Sequence, residues 1–178
     1  MKRQTLLTLT IAIAMTMTMN AQTIALHSST GVQIIKGNTA LATAYTAAQN
    51  GDTLYLSGHT FIPPGSFDKQ LSIFGAGHYV DSTLTTGKTF INGDVTLNEN
   101  ADLFYLEGVE ITGNFTISTN HSVNNVIIKR CKINGTFNAL GDLSNPTSNL
   151  RLIGNVLMNR INLENIQNAL LSNNIISN

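Results

Sequence analysis

The stretch Ile91-Asn92-Gly93-Asp94-Val95-Thr96-Leu97 decides the fold, because the chain repeats it. Its pattern of apolar, polar, Gly, polar, apolar, polar, apolar returns in Ile111–Ile117 and again, at nearly the same interval, in Ile133–Ala139. A degenerate copy follows at Met158–Leu163. This alternation sends every second side chain to one face of a strand, and strands this short cannot bury that face alone.

A second apolar segment precedes each copy. Phe104–Ile111 aligns with Val126–Ile133, and Arg151–Met158 and Leu170–Ser177 follow as looser copies at slightly unequal intervals. Stacking such units about 4.8 Å apart aligns like positions and closes a continuous core. The sequence therefore predicts an all-β right-handed parallel β-helix of six to seven coils over residues 22–178. Tandem antiparallel hairpins are the alternative, but they need two-residue turns and a steadier spacing of about 8 to 12 residues.

The repeat assigns positions to inward ladders and to a corner. The first predicted ladder is Ile91, Ile111, Ile133 and Met158, and the second is Val95, Phe115, Phe137 and Ile161. Gly93, Gly113 and Gly135 are expected at the corner, where close backbone approach favours glycine. In the same register, Glu107 falls over Lys129 and Glu110 over Lys132, which predicts cross-strand ion pairs between neighbouring coils.

Composition narrows the possible partners. Charged residues make up only 11% of the chain and its formal net charge is zero, so no nucleic-acid partner is expected. Asn occurs nineteen times between positions 92 and 178. This abundance indicates left-handed corners and amide ladders between coils, with a sugar-binding face as the alternative. The single cysteine, Cys131, lies in an apolar run and is expected to be a small core residue.

The N-terminus has the pattern of an export signal. Lys2 and Arg3 precede an uncharged stretch from Leu6 to Met19, and cleavage is expected after Ala21. The predicted organisation is therefore a signal peptide at 1–21 and a β-helix domain at 22–178. The expected location is secreted or cell-surface, with no membrane span in the mature chain. The short Ala-Gln ending resembles signal peptides of Bacteroidetes-type bacteria, and an N-terminal transmembrane anchor is the alternative.

Residues 38–52 predict a short amphipathic helix. Asn38 or Thr39 can cap it, Leu41, Ala44, Tyr45 and Ala48 share one face, and Gly51 follows as a stop. Such a helix would cover the open first coil.

The helix leads into Gly51-Asp52-Thr53-Leu54-Tyr55-Leu56, and Leu71-Ser72-Ile73-Phe74-Gly75-Ala76-Gly77 follows. These segments resemble the N-terminal part of pectate-lyase-like right-handed β-helix proteins. The resemblance implies the fold more strongly than any activity, because that superfamily includes lyases, hydrolases, epimerases, adhesins and inert scaffolds. Gly75-Ala76-Gly77 is expected at a coil corner, since no phosphate-binding pattern follows it.

The acidic residues form no obvious catalytic pair. Lyases of this superfamily typically use a basic residue beside calcium, and Asp94, Glu99 and Asp102 come nearest to a calcium cluster, although solvated loop acids are the simpler interpretation. Asp142 and Glu164 complete the acids of the repeat region, which holds no adjacent Asp-Asp pair and no stacked carboxylate pair, and no ladder of acids accompanies Arg130 or Arg151. His27, His59, His78 and His121 are dispersed and are expected at the surface or at corners. The sequence therefore predicts no catalytic residue, no metal site and no cofactor, and it leaves the binding residues unknown.

The expected function is an exported structural, adhesion or carbohydrate-contact scaffold, with a polysaccharide or a cell-surface glycan as the partner. The alternative is a polysaccharide-active enzyme, either a lyase or a glycoside hydrolase, or an inactive relative of one. The stretch 170–178 reads as the first strand of a further coil without a polar cap. It predicts an end-to-end contact at the C-terminal end of the stack.

Overall fold

The protein is described by a computed structural model that covers residues 22–79, 81, 83 and 86–177. The predicted signal peptide at 1–21 lies outside the described residues. Within them there is one helix, α1 (Ala40–Ala47), and twenty short strands. The strands are β1 (Thr23–Ser28), β2 (Gly31–Lys36), β3 (Thr53–Leu56), β4 (Thr60–Phe61), β5 (Ser72–Phe74), β6 (Phe90–Ile91), β7 (Val95–Leu97), β8 (Tyr105–Glu107), β9 (Glu110–Ile111), β10 (Phe115–Ile117), β11 (Ile127–Lys129), β12 (Lys132–Ile133), β13 (Phe137–Ala139), β14 (Thr147–Ser148), β15 (Arg151–Ile153), β16 (Val156–Leu157), β17 (Ile161–Leu163), β18 (Ile166–Gln167), β19 (Leu170–Ser172) and β20 (Ile175–Ile176).

The strands form stacked sheets around one core. The first sheet has the order β19-β15-β11-β8-β5-β3-β1-β2, the second β20-β16-β12-β9-β6-β4, and the third β17-β13-β10-β7, while β14 pairs with β18. From β3 onward every pairing is parallel. The chain is therefore a parallel β-helix, and the tandem-hairpin alternative is wrong. It makes about five turns rather than the predicted six to seven.

The first strands depart from the predicted coil. β1 pairs antiparallel with both β2 and β3, so residues 23–36 form a hairpin on the N-terminal end of the first sheet. The predicted helix is present: Leu41, Ala44 and the C-cap residue Ala48 are buried as expected, whereas Tyr45 is only partly buried. Thr39 is its N-cap residue but makes no side-chain cap hydrogen bond, and the helix ends at Ala47. Hairpin and helix together cover the first coil.

The core is built from ladders of like residues. Val95, Phe115, Phe137 and Ile161 stack in register, and the rings of Phe115 and Phe137 lie parallel with centroids 5.0 Å apart. Ile91, Ile111 and Ile133 also stack, as predicted.

The fourth member of that ladder is Leu157 rather than Met158, so the predicted register there is wrong by one residue. Met158 instead lies at the surface. The preceding strand shifts equally, because Arg151 pairs with Ile127 rather than with Val126. The loop before Arg151 is one residue shorter than the predicted alignment assumed, and the length of a loop does not affect which residues stack.

The corners contain asparagine in left-handed backbone conformations, as predicted. Seven of the nine non-glycine residues with positive φ in the described parts of the chain are Asn, which tolerates this left-handed region better than most residues. The predicted amide ladders are also present: Asn155 contacts Asn174, Asn149 contacts Asn125, and Asn162 contacts Asn138, at 2.7–3.0 Å. Gly93, Gly113 and Gly135 stack in one corner, as predicted.

The last coil is the least covered part of the stack. Leu171 and Ile176, which continue inward ladders, are 40% and 55% exposed. Across the described segments, no helix has the length and apolar character needed to cross a bilayer.

Candidate functional site

One cavity lies on the outside of the β-helix, at the corner between the first and second sheets. We call it the corner cleft; it has a volume of about 310 Å³ and is lined by Phe74, Gly75, Ala76, Gly77, His78, Tyr79, Glu107, Gly108 and Arg130. Its walls come from three successive coils, because Phe74, Glu107 and Lys129 pair in register. The long connection between β5 and β6 supplies one side and makes this corner unlike the two-residue corner at Gly108.

An ion pair forms part of the floor of the corner cleft. The side chain of Glu107 is only 8% exposed, and it accepts hydrogen bonds from the Arg130 guanidinium and the Tyr105 hydroxyl. The Nζ atom of Lys129, the predicted partner, lies 3.9 Å from the same carboxylate, so Lys129 stabilises the charge of Glu107 less than Arg130 does. The Arg130 side chain is 67% exposed and keeps donors directed to solvent.

Arg130 occupies an unusual backbone position. It has φ +49°, and the equivalent corners of three other coils carry Gly108, Gly154 and Asn173, all with positive φ. Glycine and asparagine adopt this conformation at lower cost than arginine. The backbone of Arg130 is therefore strained. Strained residues cluster at functional sites, so this one indicates a candidate site at the cleft. Leu103 is the comparable exception in another corner ladder.

A second carboxylate joins three coils behind the cleft. Glu110 accepts hydrogen bonds from Lys88 and Lys132, both at 3.1 Å, and from the Asn134 amide at 3.1 Å. The predicted Glu110–Lys132 pair is thus confirmed. Burial alone would raise the pKa of Glu110, but the hydrogen bonds from Asn134, Lys132 and Lys88 outweigh it and lower the pKa. Glu110 is therefore ionised at neutral pH and ties the 75–88 connection to the stack.

His78 is the buried histidine of the cleft. It directly follows the Gly75-Ala76-Gly77 corner, so it has the expected corner position, and it is buried there, with only 5% of its surface exposed. The centroid of its ring lies 4.1 Å from that of Tyr79, with the two planes tilted by 39°, and His78 lines the same cleft as Arg130. The Nε2 atom has no hydrogen-bond partner. Burial lowers the pKa of His78 more than the nearby Arg130 backbone and the charge of Glu110 raise it, so the ring is neutral at pH 7.

Aromatic rings run from the cleft along the outer face of the first sheet. Tyr55 and Phe74 stack with centroids 5.3 Å apart and planes 16° apart, and Phe74 lies 5.2 Å from Tyr105. Because these rings cover each other's faces, the row presents mainly ring edges to solvent. The row aligns neighbouring coils, and its member Phe74 forms an apolar wall of the cleft.

The candidate calcium residues do not converge. Asp94 and Asp102 each accept a backbone hydrogen bond from the next coil, from Asn114 at 2.7 Å and from Asn124 at 2.6 Å. Glu99 lines a separate depression with His121 and Asp142. Among the described residues, no three His, Cys, Asp or Glu side chains are grouped to hold a metal ion.

The remaining candidates have structural positions. His59 contacts the Ser57 hydroxyl at 3.0 Å, and His27 packs edge-on against Tyr55. Cys131 is a fully buried core residue, as predicted, and burial raises the pKa of its thiol to about 12.

Gly75-Ala76-Gly77 forms the predicted corner. The amides of Gly75 and Gly77 bond to the carbonyls of Glu107 and Gly108 on the next coil, both at 2.8 Å. This backbone pairing stacks the start of the long connection directly on the shorter corner at Gly108.

Sequence reasoning missed the pairing of Arg130 with Glu107. One acid, rather than a ladder of acids, accompanies Arg130, because the chain turns at Arg130 and its side chain reaches back to Glu107 on the preceding coil. One signal was present: Arg130 falls over Gly108 in the repeat, where a corner residue is expected. No sequence signal placed His78 beside Arg130, since the 75–88 connection has no counterpart in the other coils.

The fold and the corner cleft define a parallel β-helix protein with a small, mixed apolar and charged site on its outer surface. Comparison with known proteins adds no family to this description: no protein family, no curated protein and no solved structure matches the chain.

Proposed function

We propose that the chain is an exported β-helix scaffold of the pectate-lyase-like type that contacts carbohydrate at the corner cleft. The partner would be a polysaccharide or a cell-surface glycan. The observation that carries this proposal is Arg130, an exposed guanidinium held at a strained corner beside an apolar wall. Sugars present both hydroxyl groups and apolar C–H surfaces, and this cleft offers both kinds of contact.

The scaffold suits such a role because the site rests on rigid elements. The backbones of the three coils that form the cleft are joined by parallel ladders, and the Glu107 carboxylate orients the guanidinium. A preorganised site loses less conformational entropy on binding than a mobile one.

The substitution Arg130→Asn tests the proposal. Asn occupies the same corner in the last coil, so the variant keeps the left-handed backbone while removing the guanidinium. We expect oligosaccharide binding, measured by calorimetry across a panel of neutral and acidic glycans, to weaken about tenfold or more, since hydrogen bonds from a charged donor contribute about 1.5–3 kcal/mol.

Arg151→Asn is the matched control. Arg151 is an exposed arginine on the same sheet, outside the cleft. Its loss should leave binding unchanged. Failure of the wild-type protein to bind any glycan of the panel, or equal weakening in both variants, would contradict the proposed site.

A polysaccharide-active enzyme, or an inactive relative, is the second candidate. The observation in its favour is that an acidic side chain (Glu107), a basic one (Arg130) and an imidazole (His78) all line the corner cleft, and proton transfer needs ionisable groups beside a bound substrate. Incubation with the same glycans should then release shorter products with new chain ends, detected by mass spectrometry. An intact glycan after prolonged incubation would leave the scaffold as the better proposal.

Export is the remaining part of the proposal, and it is supported by the charge and apolar pattern of residues 1–21. Expression of the full chain in a bacterial host should yield a periplasmic or secreted protein whose N-terminus, determined by mass spectrometry, is Gln22. A protein that retains Met1 in the cytoplasm or the membrane would contradict this part.

A further inference from the structure

Strand β2 is an open edge of the first sheet. The sheet ends with β2, and among the described residues its only neighbour in the sheet is β1. The Gly37 amide donates to the Gln22 carbonyl at 3.0 Å, and this bond fixes the phase of the antiparallel ladder. Because the two kinds of residue pair alternate along such a ladder, Val32, Ile34 and Lys36 direct their N–H and C=O groups away from β1. In the described part of the chain, these backbone groups have no strand to pair with.

The side chains of β2 leave its outer face open as well. Val32 is 60% exposed and Ile34 is 56% exposed, and both lie on the outer face of the first sheet. Helix α1 packs against β1 and β2, and Ile35, which points to the opposite face, is buried. The inner face of β2 is therefore covered by the protein itself, whereas its edge and its outer face are exposed.

An apolar row continues from β2 across the outer face of the sheet. Ile34 pairs with Ala25, and Ala25 pairs on its other side with Tyr55. Tyr55 is 45% exposed and belongs to the aromatic row that leads to Phe74. Exposed apolar side chains that are contiguous, rather than scattered singly, mark surfaces that bind a partner.

The features that usually protect an edge strand are missing from β2. Proteins keep edge strands from pairing by making them very short, by placing charges or proline in them, or by bulges. β2 has six residues, pairs with β1 without a bulge, contains no proline and carries one charge, on Lys36 at its end. A long apolar edge of this kind is suited to accept a further strand.

From this geometry we infer that β2 is a dimerisation edge, which pairs antiparallel with β2 of a second copy about a two-fold axis at Ile34. The second copy fits because the edge is complementary to itself. Pairing about Ile34 places this residue opposite its own equivalent and Val32 opposite Lys36, so all three unpaired backbone positions gain hydrogen bonds. The two Lys36 residues then lie about 14 Å apart along the strands, beyond the ~8 Å range of screened charge repulsion.

The dimer is separate from the other contacts proposed for this protein. It forms at the N-terminal end of the stack, opposite the predicted end-to-end contact, and it does not depend on whether the corner cleft binds a glycan. An interface with the same patch on both copies closes at two. Six residues per copy form a small interface, so we expect weak association with a dissociation constant of about 10 μM.

Sedimentation of the purified full chain at a series of protein concentrations tests the inference, with Ile34→Lys as the first variant. Wild type should change from monomer to dimer over this series. In the variant, two lysines would lie directly opposite each other, so we expect dimerisation to weaken about tenfold or more. Ile34 is exposed, so the variant should keep the circular dichroism spectrum and the melting temperature of wild type.

Leu143→Lys is the matched control. Leu143 is 81% exposed and lies in the loop between β13 and β14, several coils from β2. Its replacement should leave dimerisation unchanged. A wild-type protein that stays monomeric up to about 500 μM would overturn the inference, and so would equal weakening in both variants. Self-association that Ile34→Lys leaves intact would use another surface and would also overturn it.

Ile34→Cys tests the position of the axis. Residues opposite each other in a hydrogen-bonded pair have Cα atoms about 5.5 Å apart, which a disulfide can span. Mild oxidation should therefore link two copies, and the native Cys131 should not compete because it is fully buried. Gln33→Cys is the control, since Gln33 lies on the opposite face and would pair with Ile35; we expect it to cross-link about tenfold more slowly. Equal cross-linking rates would contradict the proposed pairing.

Discussion

At the scale of single residues, asparagine has two distinct roles in this protein. At exposed corners it adopts positive φ, as Asn125 and Asn149 do, and this role depends on its backbone more than on its partners. In the interior its side chain forms hydrogen bonds with backbone groups that have no partner in the strand pairing. Asn155 is 1% exposed, and its side chain accepts from the Cys131 amide and donates to the Ile128 carbonyl, both at 2.9 Å. Buried backbone groups need such partners.

We predict that Asn155→Leu destabilises the protein by about 3 kcal/mol, because it strands one buried amide and one buried carbonyl. Chemical denaturation followed by circular dichroism measures this change. Asn162→Ala serves as the control: Asn162 is half-buried, and the loss of its single bond to Asn138 should cost less than about 1 kcal/mol. Equal costs would mean that the interior ladder has no special role.

Glu110 gives stability a defined pH dependence. Its pKa is lowered in the folded protein, so its contribution is present above the ordinary value of 4.5 and is lost as the pH falls below it. We predict that Glu110→Gln costs about 2 kcal/mol near pH 7 and that the difference from wild type shrinks in acid below 4.5.

Urea titrations at several pH values would measure the effect of Glu110→Gln. Glu164→Gln, at an exposed position, should change little throughout. A constant penalty for Glu110→Gln at all pH values would show that packing, rather than charge, explains the loss.

At the scale of elements, strands of only two or three residues are stable because the corners that join them stack as closely as the strands do. A Cβ atom placed on Gly135 would come within 2.5–2.6 Å of the Gly113 backbone on the preceding coil. The third sheet can therefore maintain its spacing only with glycine at this corner. This close approach explains why the Ile-x-Gly pattern recurs, since no positive φ is required at Gly113 or Gly135.

Gly135→Ala should therefore lower the free energy of unfolding by about 2 kcal/mol, through forced separation of two coils. Gly65→Ala is the matched control, because a Cβ at Gly65 meets nothing within 4 Å and its φ is not positive. That change should be neutral or slightly stabilising. Thermal unfolding monitors both variants, and equal melting temperatures would contradict the packing argument.

At the scale of the whole molecule, each coil is supported by the coils above and below it. Burial along a single ladder changes accordingly: Ile133 is fully buried in the middle, whereas Ile176 in the last coil is 55% exposed. The predicted end-to-end contact would cover this last coil, and it remains a prediction.

Position along the stack should set the cost of the same substitution. Ile133→Ala should destabilise the protein by about 2–5 kcal/mol, and Ile176→Ala by less than about 1 kcal/mol. Equilibrium unfolding at low protein concentration measures both. A large cost at Ile176 that grows with protein concentration would indicate that this end is buried by self-association.

The sequence by itself determined the parallel β-helix, its inward ladders and the pairing of Glu110 with Lys132, because alternation and repeat length act locally and are copied from coil to coil. It also predicted the helix over the first coil from a short amphipathic pattern. Where loops differ in length, as before Arg151, the same reasoning misplaced the register by one residue. The hairpin of residues 23–36 has the alternation of a coil strand, and only the tertiary structure showed that it pairs antiparallel. The corner cleft was likewise decided by tertiary structure. It depends on how one unrepeated connection packs His78 against Arg130, and such long-range contacts leave no periodic trace in a sequence.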